Sequence, residues 1–284
     1  MTTADFVLQI SCVDCKGIVA AVAGAIFAQD ANIVESAQFS DPHSGRFFMR
    51  IALAGAAGMT PVSFAAALAP VAEKFALDWR LHDLARKQRA LVMVSQGGHC
   101  LNDLLYRSAT GRLPMTITSV VSNHTIWQRR VEHEGILFHH LPITPETKAA
   151  QEAALMELVE QQGVDLIVLA RYMQVLSDPL CRQLGGRAIN IHHSFLPGFK
   201  GARPYHRAYE RGVKMVGATA HYVTPALDEG PIITQDVSIV DHADTVEALI
   251  AQGQDIESRV LARAVKLHLE HRVMLNGNRT VVFK

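Results

Sequence analysis

At about residue 87 the hydrophobic pattern of this chain changes, from strands that follow one another closely to strands that alternate with helices. One chain of 284 residues must therefore build two different sheets. Before the change, residues 6–11 are a short β-rich run, and the Ala-rich residues 18–27 read as a helix after the loop Asp14-Cys15-Lys16-Gly17. Residues 32–39 and 46–53 are two strands joined by Asp41-Pro42-His43-Ser44-Gly45, whose residue types favour a hairpin turn. Residues 62–75 are helical and 77–84 form a last strand, so the order is βαββαβ, a two-layer unit of the ferredoxin-like kind. Arg86-Lys87-Gln88-Arg89 then interrupts the apolar pattern with a cationic, helix-compatible stretch. An exposed connection is expected there, dividing the chain into 1–86 and 87–284.

Beyond that point, strands at 90–94, 115–122 and 136–139 alternate with helices at 100–108 and 126–134. A helix at 150–162 follows, then the nearly unbroken apolar strands 164–170 and 188–191, strands at 215–223 and 232–239, and a long helix over 245–272. This pattern predicts an α/β domain with an open, mostly parallel sheet and helices on both faces. Ligands of such sheets bind beyond the carboxyl ends of the strands, so chemistry is expected just after residues 169 and 189.

Composition narrows the function. With 49% hydrophobic and 19% charged residues the chain can bury a core, which excludes a disordered chain or a disulfide scaffold. Lys+Arg and Asp+Glu both total 27, so no field of one sign gathers nucleic acid or an anionic membrane, and a small-molecule partner is favoured. No apolar run reaches the roughly 18–20 residues of a membrane span, and Met1-Thr2-Thr3-Ala4-Asp5 lacks the basic start of a signal peptide, so a cytoplasmic protein is expected. Cys12-x-x-Cys15 is the one tight cysteine spacing; without a second close Cys/His pair it reads as plain thiols rather than a zinc site.

The densest chemical cluster is Ile189-Asn190-Ile191-His192-His193-Ser194-Phe195-Leu196-Pro197-Gly198. Period-two alternation sends Asn190 and His192 to one side of the strand and His193 to the other. An amide N–H at a developing oxyanion and an imidazole that carries a proton near neutral pH suit attack on a carbonyl carbon. The same residues would equally serve a strand end whose polar side chains satisfy loop backbone. Asp228, in Val223-Thr224-Pro225-Ala226-Leu227-Asp228-Glu229-Gly230-Pro231, could favour the His192 imidazolium and hold a water, or could simply form a turn.

Asn190, His192 and Asp228, an Asn-x-His strand end followed by an Asp-x-Gly-Pro loop, resemble the signature of the folate-dependent formyltransferase fold from about residue 90 onward. With the first part included, the whole chain is similar to the formyltetrahydrofolate deformylase family, which joins an N-terminal ACT domain to that fold. Arg46-Phe47-Phe48-Met49-Arg50, His99-Cys100-Leu101-Asn102-Asp103-Leu104-Leu105, Gly201-Ala202-Arg203-Pro204-Tyr205-His206, Gly217-Ala218-Thr219-Ala220-His221-Tyr222 and Gly277-Asn278-Arg279-Thr280 also carry the likeness.

The resemblance implies hydrolysis of 10-formyltetrahydrofolate to formate and tetrahydrofolate, supplying formate for one-carbon and purine metabolism. It puts Asn190, His192 and Asp228 in the catalytic positions and water as the second reactant, with no metal or redox cofactor. It puts the folate in a slot made by Met173, Gln174, Val175, Leu176, Val223 and Leu227, of which Met173, Val175 and Leu176 would otherwise read as ordinary core. An ACT domain implies an amino-acid effector near Asp14-Cys15-Lys16-Gly17 and a homo-oligomer, although Lys16 stands where other ACT domains commonly have proline. Two other readings remain. One is formyl transfer to an amine acceptor, against which Ser95-Gln96-Gly97-Gly98-His99-Cys100-Leu101 carries His99-Cys100 in place of a phosphate-cradling Ser-Asn, while Gly97-Gly98 would still let backbone approach an anion. The other is a non-catalytic folate and amino-acid sensor.

Overall fold

The computed structural model describes residues 3–56, 58–198 and 204–284, so Gly201-Ala202-Arg203 lie outside the described residues. The chain divides into two compact units. The first comprises residues up to Lys87 with Glu270–Asn276 and Val281–Lys284. Its elements run β1 (Phe6–Val13), α1 (Ile18–Phe27), β2 (Asn32–Asp41), β3 (Arg46–Ala54), α2 (Pro61–Phe75) and β4 (Asp78–Asp83). The sheet order is β2-β3-β1-β4, antiparallel throughout. Local chemistry sets the boundaries. Thr60 caps α2 by accepting from Ser63 N while Ser63 Oγ accepts from Thr60 N, with Pro61 in the first helical position where its missing N–H costs nothing. The Asp41 carboxylate accepts from His43 N and Ser44 Oγ, and Gly45 at φ +65° completes the β2–β3 turn. Met49, Ile51, Phe64 and Leu68 fill the space between sheet and helices.

His82 on β4 stacks on His271 at 3.5 Å between ring centroids and donates through Nε2 to Gln9 Oε1 at 2.9 Å. Burial, helped by the Arg80 charge, lowers its pKa to about 4. The unfolded chain, with an ordinary imidazole, therefore binds a proton that the fold rejects. Stability is full above pH 6.5 and falls as the pH drops toward 4, by about 2–3 kcal/mol from this residue. His82→Gln is expected to flatten that part of the pH dependence, read from urea midpoints followed by circular dichroism; an unchanged slope would show that His82 does not cause it.

The second unit, Gln88–Leu269 with Gly277–Thr280, is the α/β part. It contains β5 (Gln88–Val94), α3 (His99–Ala109), β6 (Met115–Ser122), α4 (Gln128–His133), β7 (Leu137–His140), α5 (Lys148–Gln161), β8 (Leu166–Leu169), α6 (Asp178–Gln183), β9 (Ala188–His192), α7 (Pro204–Arg211), β10 (Met215–Tyr222), β11 (Ile232–Ile239) and α8 (Val246–Leu269). The seven strands lie in the order β11-β10-β9-β8-β5-β6-β7. The five from β9 to β7 are parallel, and β10 and β11 are antiparallel. Residues 90–94 and all of β8 are buried, as strands covered on both faces must be. No helix among the described residues is long and apolar enough to cross a membrane.

Two expectations needed correction. Gln88 and Arg89 are not helix-compatible linker but the start of β5, where Arg89 N donates to Asp165 Oδ2 at 2.9 Å and its Nε to Gln162 O at 2.6 Å; ladder pairing outweighs their polarity. The long helix stops at Leu269, and His271 at φ +53° turns the chain into β12 (Val273–Asn276) and β13 (Arg279–Val282), a hairpin the hydrophobic pattern is too short to reveal. The short helices α6 and α7 were likewise missed.

Candidate active site

β9 and β10 pair antiparallel in a register that sets His221 opposite Asn190 and Thr219 opposite His192. The Tyr222 carbonyl can only accept, so His221 Nδ1, 2.9 Å away, carries the proton. In the neutral ring Nε2 then accepts from Asn190 Nδ2 at 3.3 Å, which orients the amide with its second N–H free for other partners. Asp228, at φ +56°, a backbone conformation that aspartate tolerates better than most residues, sets Oδ1 3.2 Å from His192 Nδ1 and 3.7 Å from His221 Nε2. Burial works against its charge, but the hydrogen bond from His192 and the neighbouring His221 ring outweigh that and hold its pKa well below the usual carboxylate range. Asp228 is therefore an anion set against the Nδ1 edge of the His192 ring. His192 Nε2 is buried and has no hydrogen-bond partner among the described residues.

These four side chains line one cleft of about 560 Å³. Met173, Gln174, Val175, Leu176, Val223 and Leu227 line it too. Leu176 is buried there, whereas Met173, Val175 and Leu227 are 55–61% exposed, an apolar surface that an ordinary core would have covered. So the structure brings together every residue singled out for the site. His193 is the exception to its expectation: β9 ends at His192, alternation no longer applies, and the His193 ring stacks on His192 at 4.8 Å instead of facing away.

A family model described as formyl transferase matches residues 88–265. A formyltetrahydrofolate deformylase from Corynebacterium sp. (strain P-1) is 50% identical over 279 residues, 98% of each chain. The chain belongs to the formyltetrahydrofolate deformylase family. The crystal structure of a formyltetrahydrofolate deformylase from Burkholderia mallei, 49% identical, superposes with a TM-score of 0.95 over 99% of this chain and 100% of that one. Glycinamide ribonucleotide transformylase 1 from Symbiobacterium toebii is 34% identical with a TM-score of 0.65, over 70% of this chain and 95% of that one.

In this member of the deformylase family the cleft has a further wall that sequence reasoning missed. Glu257, only 1% exposed, accepts from Tyr205 Oη at 2.6 Å and lies 2.8 Å from His99 Nε2 and 3.2 Å from Arg171 Nε. Burial favours the neutral acid, yet the His99 hydrogen bond, the Arg171 charge and the Tyr205 hydrogen bond outweigh it and keep Glu257 ionised. The signal was present: a carboxylate between Ile256 and Val260 on the apolar stripe of a helix needs a buried partner. His99, Cys100 and Glu257 come within 4.8 Å of one another, the spacing of metal ligands. The donor set argues otherwise, because Glu257 is engaged by a guanidinium, an imidazole and a phenol, and burial pushes the Cys100 thiol far above its ordinary pKa. The Gly97-Gly98 loop is similarly committed: a Cβ on Gly98 would come within 2.1 Å of the Trp127 ring, whose Nε1 donates to Gln96 O at 3.1 Å.

Proposed function

We propose that the cleft hydrolyses 10-formyltetrahydrofolate to formate and tetrahydrofolate, with Asn190, His192 and Asp228 as catalytic residues. What supports this reading is the unfilled hydrogen bond at His192 Nε2 beside an ionised Asp228. A protonated His192 donates from Nδ1 to Asp228 and from Nε2 to the formyl oxygen, and the free N–H of Asn190 donates to the same oxygen as it gains charge. Asp228 orients a water and takes its proton as the oxygen bonds to the formyl carbon. Collapse of the tetrahedral intermediate breaks the C–N bond, and the proton leaves with the folate nitrogen.

The folate's ring system occupies the apolar slot. Leu227→Asp is accordingly expected to raise KM for 10-formyltetrahydrofolate by about tenfold or more, with kcat within about threefold, since the slot binds ground and transition states alike. An unchanged KM would remove Leu227 from the slot.

The first unit reads as an ACT-type regulatory module that joins copies of the chain into a homo-oligomer and takes an amino acid as effector. In support, its sheet ends in β2 and β4, edges suited to pairing with another copy, and Gly17 at φ +96° makes the turn into α1 that the loop before it requires.

A further inference from the structure

Behind the His192 imidazole lies a second set of contacts that the proposed reaction does not use. The His193 ring covers one face of the His192 ring, with an interplanar angle of 22°. Arg171 Nη1 lies 2.5 Å from His193 Nδ1. A guanidinium only donates, so Nδ1 of His193 is the acceptor and carries no proton, which fixes both the ring's tautomer and its plane. Arg171 is held in turn by Glu257, itself gripped by His99 and Tyr205. Gly253 leaves room for that grip, since a Cβ there would come within 2.1 Å of Tyr205 Oη. The backbone at Arg171 sits at φ +65°, a left-handed conformation that is strained for a residue with a Cβ. Such strain persists where the surroundings over-determine it, and here it aims the guanidinium at His193.

We infer that His193 is a positioning residue: clamped by Arg171 on the Glu257 anchor, it holds the His192 ring in the plane that keeps Nδ1 on Asp228 and leaves Nε2 for substrate. The inference deepens the hydrolytic reading and rests on it. Rotation of His192 about its side-chain bonds would break the 3.2 Å contact with Asp228 and move the donor away from the developing oxyanion. Asp228 holds one edge of the ring, and only a group on its face can hold the plane.

Two variants of the full chain separate the roles. His193→Phe keeps a ring to stack and loses the acceptor; His193→Asn keeps an acceptor for Arg171 and loses the ring. His193→Phe is expected to retain kcat for formate release within about fivefold, and His193→Asn to lose about 10- to 100-fold, with KM within about threefold in both. A wild-type chain that releases no formate refutes the hydrolytic reading itself. An active wild type with an equally active Asn variant, with equal losses in the two variants, or with the loss carried by KM overturns the positioning role. Imidazole ¹⁵N spectra of the wild-type chain give a check that no variant's folding can disturb. The geometry requires an unprotonated Nδ1 on His193 and a protonated Nδ1 on His192, and a proton on His193 Nδ1 overturns the clamp.

Discussion

Asp228→Asn is expected to lower kcat for formate release by about a thousandfold, roughly 4 kcal/mol in barrier height, while folate affinity stays within about threefold. The substitution keeps the size of the side chain, and its carbonyl oxygen can still accept from His192 Nδ1, so the slot for the folate is undisturbed. What disappears is the negative charge 3.2 Å from His192 Nδ1. Without it the His192 ring loses its anionic partner, and no base receives the proton of the attacking water. The wild-type carboxylate, held below the ordinary range, remains ionised on mild acidification, so an acid limb near pH 5–6 in the wild type would belong to another group. Near-normal formate release from the variant would disprove the assigned role.

Gly230→Ala is expected to be as damaging by another route. A Cβ at this position would fall 1.7 Å from the Tyr222 carbonyl oxygen and 2.9 Å from its carbon, both backbone atoms with no flexible end to swing aside. That carbonyl accepts the His221 Nδ1 proton, and Tyr222 N donates to Pro231 O at 3.0 Å, so relief of the clash must shift the loop that carries Asp228 or unpair the end of β10. We expect a loss of about 3 kcal/mol or more in stability and at least a hundredfold in activity, measured by urea unfolding and formate release. Gly24→Ala in α1 is the control, because nothing lies within 4 Å of its added Cβ and a helical alanine is favoured by up to about 1 kcal/mol. Equal stability of the Gly230 and Gly24 variants would contradict the packing described.

Much of this architecture was legible because burial on both faces writes a simple pattern. Residues 164–170 and 188–191 are apolar runs that only a covered strand would carry, and they became β8 and β9 in the middle of the sheet. Asn190 and His192 stood out for the converse reason, being polar groups where such a strand ends. His221 did not, since its meaning lies in pairing opposite Asn190, and antiparallel register between β9 and β10 is not a local property. His193 was assigned to the wrong side because alternation holds only while the strand continues, and β9 ends one residue earlier. Glu257, 86 residues from Arg171 along the chain, is tied to it by a single ion pair that no period reveals.

The proposed hydrolysis makes water, activated beside an ionised Asp228, the recipient of the formyl group. Incubating the full-length chain with 10-formyltetrahydrofolate in H₂¹⁸O, without any amine, and analysing the formate by mass spectrometry tests it most directly. Steady turnover is expected, with one ¹⁸O incorporated per formate and no acceleration when glycinamide ribonucleotide is added. Turnover that begins only with the amine, with the formyl group recovered on it, or folate binding with no turnover under either condition, would contradict it.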